Sequence, residues 1–252
     1  MFKPYIISVS CLVLAQTAFM GHASAQTTQH DIFESKAQSV QTASLTPDIV
    51  VELFTSQGCS SCPAANKFTS KLSSDPEKLI LTYGVTYWDY LGWKDTFGRP
   101  EFTDRQRAYG RALHIGNVYT PQMVLNGSAH SPRYSRKDVE TMELPPLRPI
   151  VELVNSASGL IVKLPKDVSL ADTEVTLITY VPGEQDVDVR KGENRGRTLR
   201  VANVVTQVKT LKAQNQYVIN SAIRPESGYA YAALIQDRQT GKIVTATRYL
   251  NE

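Results

Sequence analysis

Two cysteines three positions apart, Cys59 and Cys62, constrain this 252-residue chain more than any other feature. They sit in residues 50–63, VVELFTSQGCSSCP, where an apolar, β-branched run gives way to a short polar turn and then to C-x-x-C. A strand that ends in a turn and sets such a pair at a helix start has redox-active geometry. Spacing alone leaves three uses open: a working dithiol, a metal clip, or an inert staple.

The N-terminus narrows the choice. Lys3, the mostly apolar residues 5–20 and the small-x-small Ala23-Ser24-Ala25 form a signal-peptide pattern, with cleavage expected after Ala25. The apolar run is shorter than the roughly 20 residues of a membrane span, and Gln16 and Thr17 interrupt it. The mature chain is therefore expected in the periplasm or outside the cell, without a membrane span. Cys11 leaves with the peptide, so Cys59 and Cys62 remain as one pair in a compartment where disulfides persist. With no second C-x-x-C, a four-cysteine zinc site is excluded. Lys and Arg number 27 against 24 Asp and Glu, with no long block of one sign, which argues against nucleic acid as the main partner.

Residues 26–46 are polar and aperiodic and read as a flexible lead-in. Residues 47–146 then predict an α/β unit. Residues 49–54 read as a central strand, and residues 60–73 as a helix with Pro63 in its first turn. Residues 79–87 read as a second strand, parallel to the first by the right-handed crossover rule. The aperiodic WDYLGWKDTFGRP reads as a surface loop, and residues 101–113 as a helix. A strand opened by Thr120-Pro121 turns at Asn126-Gly127, a strong hairpin signal, and residues 135–142 form a short helix capped by Ser135. This is the thioredoxin-like order of elements. The proline-rich LPPLRP reads as a linker, and the seven short alternating stretches beyond it predict a β-sandwich-like domain over residues 147–252. The expected fold class is an α/β thioredoxin-like domain followed by a small all-β domain.

A thiolate is the attacking species in disulfide exchange, and a helix N-terminus stabilises it with unpaired N–H groups and the helix dipole. Cys59 at that N-terminus is the expected nucleophile and Cys62, one turn in, the resolving thiol. The other reading is a local disulfide whose ring is too small to stabilise much. Thr120-Pro121 resembles a glutaredoxin Thr-Val-Pro-Gln segment. That resemblance implies a cis proline facing the cysteines and positioning substrate; the plain alternative is a trans proline at a strand start. Glu52 either points under the pair, where it would take a proton from Cys62, or faces solvent. Trp88, Asp89, Tyr90, Trp93 and Lys94 read equally as an aromatic docking wall or as loop anchors. Arg195 and Arg197, in RKGENRGRTLR, either bind an anion, seat against the first domain, or decorate a solvated hairpin tip. His114 and His130 read as surface residues.

The stretches VVELFTSQGCSSCPAA, YWDYLGWKD, FTDRQRAYGRAL, VYTPQMVLNG and GENRGRTLR together resemble a secreted bacterial thioredoxin-like family known as domain of unknown function 1223. The resemblance covers essentially the whole mature chain, and it implies the two-part architecture and export without supplying a reaction. Gly84 and Thr86 stand where the family pattern has His and Asp, and Val201 and Ala202 where it has histidines. A metal or acid–base site built from those side chains is mostly lost here.

The expected function is thiol–disulfide exchange with a protein or small-molecule thiol or disulfide, with a redox partner protein and no cofactor. Two alternatives stand beside it. Cu(I) handling would use both thiolates with Met123, and a permanent disulfide would mark a non-catalytic binding module.

Overall fold

A seven-residue strand whose every residue is buried, Ile49–Thr55 (β2), runs through the middle of the molecule. In the computed structural model, which describes residues 44–144, 146–147, 150–212 and 217–251, it is flanked on both sides. Lys78–Gly84 (β3) pairs with it in parallel and Gln122–Leu125 (β4) antiparallel. The signal-peptide pattern and nearly all of the lead-in lie outside the described residues. Ser44–Leu45, at the end of that lead-in, form a short edge strand (β1) against the last strand of the chain.

The side chains of β2 alternate between two cores. Val51 and Leu53 meet Ala65 and Leu72 of the first helix, Cys62–Leu72 (α1), which has proline in its first turn. Val50 and Phe54 meet Phe102 and Tyr109 of the second, Pro100–Ala112 (α2). Proline opens α2 as well, and Glu101 in its first turn with Arg111 in its last suits the helix dipole. A third helix, Arg136–Thr141 (α3), carries a full capping box between Ser135 and Asp138. The hairpin of β4 with Ala129–Ser131 (β5) turns at Asn126 and Gly127, both at positive φ as its type requires.

The expected fold class is overturned. The chain does not form a thioredoxin-like α/β domain followed by a small all-β domain; it is mostly sheet, with three short helices among the described residues. Beyond α3 come Glu152–Ser156 (β6), Gly159–Lys163 (β7), Thr173–Asp188 (β8), Thr198–Leu211 (β9), Val218–Asn220 (β10), Ala230–Asp237 (β11) and Ile243–Leu250 (β12). Strands from both halves share one nine-stranded mixed sheet of order β1-β12-β11-β8-β9-β3-β2-β4-β5. The seam is β9 against β3. Thr82 pairs with Val204, the Thr82 hydroxyl donates to Ala202 O (2.7 Å), and Asn203 Nδ2 donates to Ile80 O (3.0 Å).

The sheet curls until its two flanks touch. Ile243 of β12 donates its N–H to Asn126 O in the β4–β5 turn at 2.9 Å. A side chain at Gly127 would run into Gly241 O, so this close approach needs glycine. Inside the curl lies the core of Val50, Phe54, Tyr83 and Tyr109 with Ile178, Tyr180, Ala232 and Leu234. A separate three-stranded sheet, β10-β7-β6, covers the other face of β8 and β11 over Leu153, Leu160, Val162, Leu177 and Ile235.

β8 and β9 are long, 16 and 14 residues. Their register shifts between Val181 and Glu184, where Gly183 adopts φ 79° and its N–H is held by Asn203 Oδ1 (2.9 Å). Such a bulge twists and re-aims a ribbon. Past it the two strands run on as an arm whose tip, residues 192–197, reaches the C-x-x-C turn.

Candidate functional site

β2 ends at Thr55, whose hydroxyl bonds to Asn66 of α1 (2.8 Å) and so fixes the strand to the helix that follows. The turn between them is tight. Cys59 N–H donates to Ser56 O (3.2 Å), and Gly58 N–H to the Ser56 hydroxyl (3.1 Å). Cys59 and Cys62 are paired as a disulfide with Cα atoms 5.4 Å apart. Cys62 opens α1, and Cys59 stands just before it. The Thr120–Pro121 peptide bond is cis, as its sequence context implies. Thr120 O lies 3.7 Å from Cys59 Sγ, and the Ser61 hydroxyl lies 3.3 Å from the same sulfur.

The disulfide is covered. Cys59 is 1% exposed and Cys62 is inaccessible. Trp88 closes one side: its Cβ lies 3.2 Å from where a Gly58 Cβ would be, and its indole N–H donates to the Thr120 hydroxyl (2.7 Å). The tip of the β8–β9 arm closes another. Asn194, wholly buried, donates to both Gln57 O (3.0 Å) and Cys59 O (2.8 Å), while Glu193 Oε2 accepts from Ser60 N–H (3.0 Å).

Beneath the turn, Gln57 is the hub. Its amide oxygen accepts from the Trp93 indole (2.8 Å) and Thr96 N–H (3.2 Å), and its backbone N–H donates to Asp95 Oδ2 (2.7 Å). Asp95 also takes Phe97 N–H at 2.9 Å. Burial pushes its carboxyl up to about 6, against the pull of those N–H donors. Asp89 starts a short 3₁₀ turn, Asp89–Leu91, and accepts from Asp95 N–H (3.1 Å).

The aromatic segment serves as an anchor for its loop. Trp88 and Trp93 anchor the loop, and Trp88 also packs beside the cysteine turn; Tyr90 is exposed. Arg195 stays on the exposed side of the arm, and among the described residues its side chain makes no hydrogen bond to the cysteine turn. The residues that do touch the turn, Gln57, Asp95, Glu193 and Asn194, were not singled out from the sequence as partners of the cysteines. The one available signal was an Asn between two turn glycines, Gly192 and Gly196, both at positive φ.

Glu52 does not serve the cysteines. It shares the face of β2 that carries Val50 and Phe54, whereas α1 packs on the face of Val51 and Leu53. Its carboxylate takes a two-pronged bond from Arg105 (Nε to Oε1 2.7 Å, Nη2 to Oε2 3.0 Å) and a short one from the Tyr109 hydroxyl. Gln236 completes the cluster, accepting from Arg105 (2.9 Å) and donating to Tyr109 (2.9 Å). Met123, the third ligand imagined for copper, is buried in the core with Leu53, Ala65 and Leu72. Among the described residues no group of three or more His, Cys, Asp or Glu stands ready for a metal ion, and no helix is long and apolar enough to cross a membrane.

The family model described as "Protein of unknown function (DUF1223)" matches residues 50–236, from within β2 to within β11. The chain belongs to the DUF1223 family. Among solved structures it is similar to a protein of Agrobacterium tumefaciens, 28% identical, over 82% of this chain and 96% of that one, with a TM-score of 0.62. It is also similar in fold to HBP35 of Porphyromonas gingivalis, 11% identical, over 81% of this chain and 75% of that one, with a TM-score of 0.54. No curated protein matches the chain.

Of the four positions at which the sequence departs from the resembled pattern, two come together. Gly84 and Val201 line one small internal void of about 10 Å³, together with Thr55, Gln57, Asn66, Thr82 and Asp95. That void lies directly behind the cysteine turn, through Gln57. Any Cβ at Gly84 would come within 2.8 Å of the Phe97 backbone, so the present backbone admits only glycine there. Asp95 is the titratable side chain that lines this void.

Proposed function

We propose that the Cys59–Cys62 pair carries out thiol–disulfide exchange with a protein or small-molecule thiol or disulfide. The observation that supports this best is the setting of Cys59 Sγ. It stands before the first turn of α1, beside the Ser61 hydroxyl and the Thr120 carbonyl. A thiolate formed there gains a hydroxyl donor and the positive end of the helix dipole. Cys62 in the first turn is the more buried of the two and stands within bonding reach of Cys59.

In the direction of substrate reduction, the Cys59 thiolate attacks one sulfur of a substrate R–S–S–R′. R′S⁻ leaves and takes a proton from solvent. The Cys62 thiolate then attacks Cys59 Sγ, RS⁻ leaves, and the Cys59–Cys62 disulfide is restored. Two electrons pass from protein to substrate, and an external dithiol must return them.

Pre-reduced protein mixed with one equivalent of a small aromatic disulfide tests this. Release of two thiols per chain is expected. Cys59→Ser should abolish the release, and Cys62→Ser should stop at a mixed disulfide on Cys59, visible as added mass. Release unchanged in Cys59→Ser would overturn the proposal.

A further inference from the structure

The chemistry of a dithiol at a helix start depends on how well its surroundings tolerate a thiolate, and here a second strand pair intervenes. Three N–H groups around Cys59 are already claimed. Cys59 N–H donates to Ser56 O, Cys62 N–H to Cys59 O at 3.2 Å, and Ser60 N–H to Glu193 Oε2 at 3.0 Å. The last of these comes from outside the helix, on the far end of the β8–β9 arm. Glu193 thus places a full negative charge on the N–H adjacent to Cys59, where an isolated helix would offer only positive potential. Its own carboxyl is held below the usual range by the bond to Ser60, so it is charged at neutral pH. A second carboxylate, Asp95, holds Gln57 N–H from beneath the same turn. The cation whose bond reaches the arm's tip, Arg197, is directed at Asn194 Oδ1 (3.1 Å) and not at sulfur.

We infer that Glu193 is a positioning residue that biases the Cys59–Cys62 pair toward the disulfide and so makes its reduced form an electron donor to disulfide substrates. The inference rests on the exchange reaction proposed above and gives that reaction a direction. Two effects of the same sign act. The Glu193 carboxylate repels a neighbouring thiolate, and it occupies a donor that the thiolate would otherwise recruit. Stabilising the thiolate makes a dithiol pair oxidising, because the reduced state gains; destabilising it favours the disulfide. Asn194, bonded to Gln57 O and Cys59 O, holds the arm in the position where Glu193 acts. The balance is that of the exchange itself: the reduced pair yields two electrons to the substrate disulfide, and an external dithiol, oxidised in turn to its own disulfide, restores them.

The test equilibrates the full chain and Glu193→Gln with buffers of reduced and oxidised glutathione and reads the fraction of each protein in the disulfide form. Glutamine keeps a carbonyl for the Ser60 N–H and removes the charge. The equilibrium constant should move toward the dithiol by roughly 3- to 10-fold, the range for one partly screened charge several ångströms away. The change should shrink in 1 M salt, where the screening length is about 3 Å. The alkylation pKa of Cys59 should fall in parallel, a readout that loose packing of the arm would not move. Equal constants in the two proteins, or a shift toward the disulfide in Glu193→Gln, would overturn the inference while leaving the exchange reaction standing. Failure of both proteins to exchange with glutathione would overturn both.

Discussion

Two buried polar centres tie the first half of the chain to the second, and they differ in what they are able to do. At the α2 centre, Glu52, Arg105, Tyr109 and Gln236 satisfy one another: a two-pronged ion pair, a phenol and an amide, with Gln236 reaching in from β11. At the disulfide centre, the second half reaches in through Asn194 and Glu193, and both bond to backbone atoms of the cysteine turn. The first centre holds its charges by mutual pairing, so opening it exposes an unpaired ion. The second is closed by neutral amide bonds and one exposed carboxylate, so opening it leaves no buried ion without its partner and uncovers the disulfide. A buried, strongly coupled ionisable cluster is a common sign of a functional site; the exchange proposed above places the chemistry at the other centre.

The contrast is sharpest where the ion pair is broken. Glu52→Ala leaves Arg105 buried without its counter-charge and should destabilise the fold by about 3–5 kcal/mol, read from the urea midpoint. Thiol release per folded chain should remain as in the unaltered protein. A loss of exchange out of proportion to the loss of folded protein would merge the two centres and break the comparison.

Asp95 gives the next largest effect, and it runs against the usual behaviour of carboxylates. Its pKa is raised from 3.8 to about 6 by burial, so between those values the folded chain keeps a proton that the unfolded chain has lost. The contribution is fully present below about pH 4 and is lost as pH rises through 6, amounting to about 3 kcal/mol. Unfolding titrations of the native chain and of Asp95→Asn between pH 4 and 7 should diverge by that amount, the native chain falling more steeply. Parallel curves would show that the void beneath the cysteine turn does not penalise charge.

Asn194→Ala should produce the smallest change in stability, about 1–3 kcal/mol for leaving Gln57 O and Cys59 O without their donor. Its kinetic effect should be the more telling one. With the arm no longer pinned, reduction of the Cys59–Cys62 bond by an excess of small thiol should quicken several-fold, since access limits exchange at a covered sulfur. An unchanged rate would place the barrier at Trp88 instead.

Much of the local structure was legible in order along the chain. The β-branched run of β2, the proline in the first turn of α1, the Asn126-Gly127 turn and the Ser135 cap each act within a few residues, and each formed where its pattern predicts. Family membership was legible for the same reason, because it rests on short motifs in sequence. The fold class was not. Pro182-Gly183 has the composition of a turn that ends a strand, yet here it is a bulge within β8. Whether such a dipeptide ends a ribbon or bends it depends on what the ribbon packs against, and its β9 strand packs against β3, about 120 residues earlier in the chain. The face on which Glu52 would lie was equally hidden, since strand alternation assigns two faces without saying which helix covers each.

That Cys59 and Cys62 stand together at the start of a helix follows from the motif alone, because three peptide units and a strand–turn–helix pattern leave little freedom. What surrounds them is set by long-range packing. The arm of β8 and β9 carries Asn194 and Glu193 to the turn from 135 and 133 residues away in sequence, and no local propensity encodes a contact of that length. The pair is a property of the motif; its cover, and the charge placed beside it, belong to the fold.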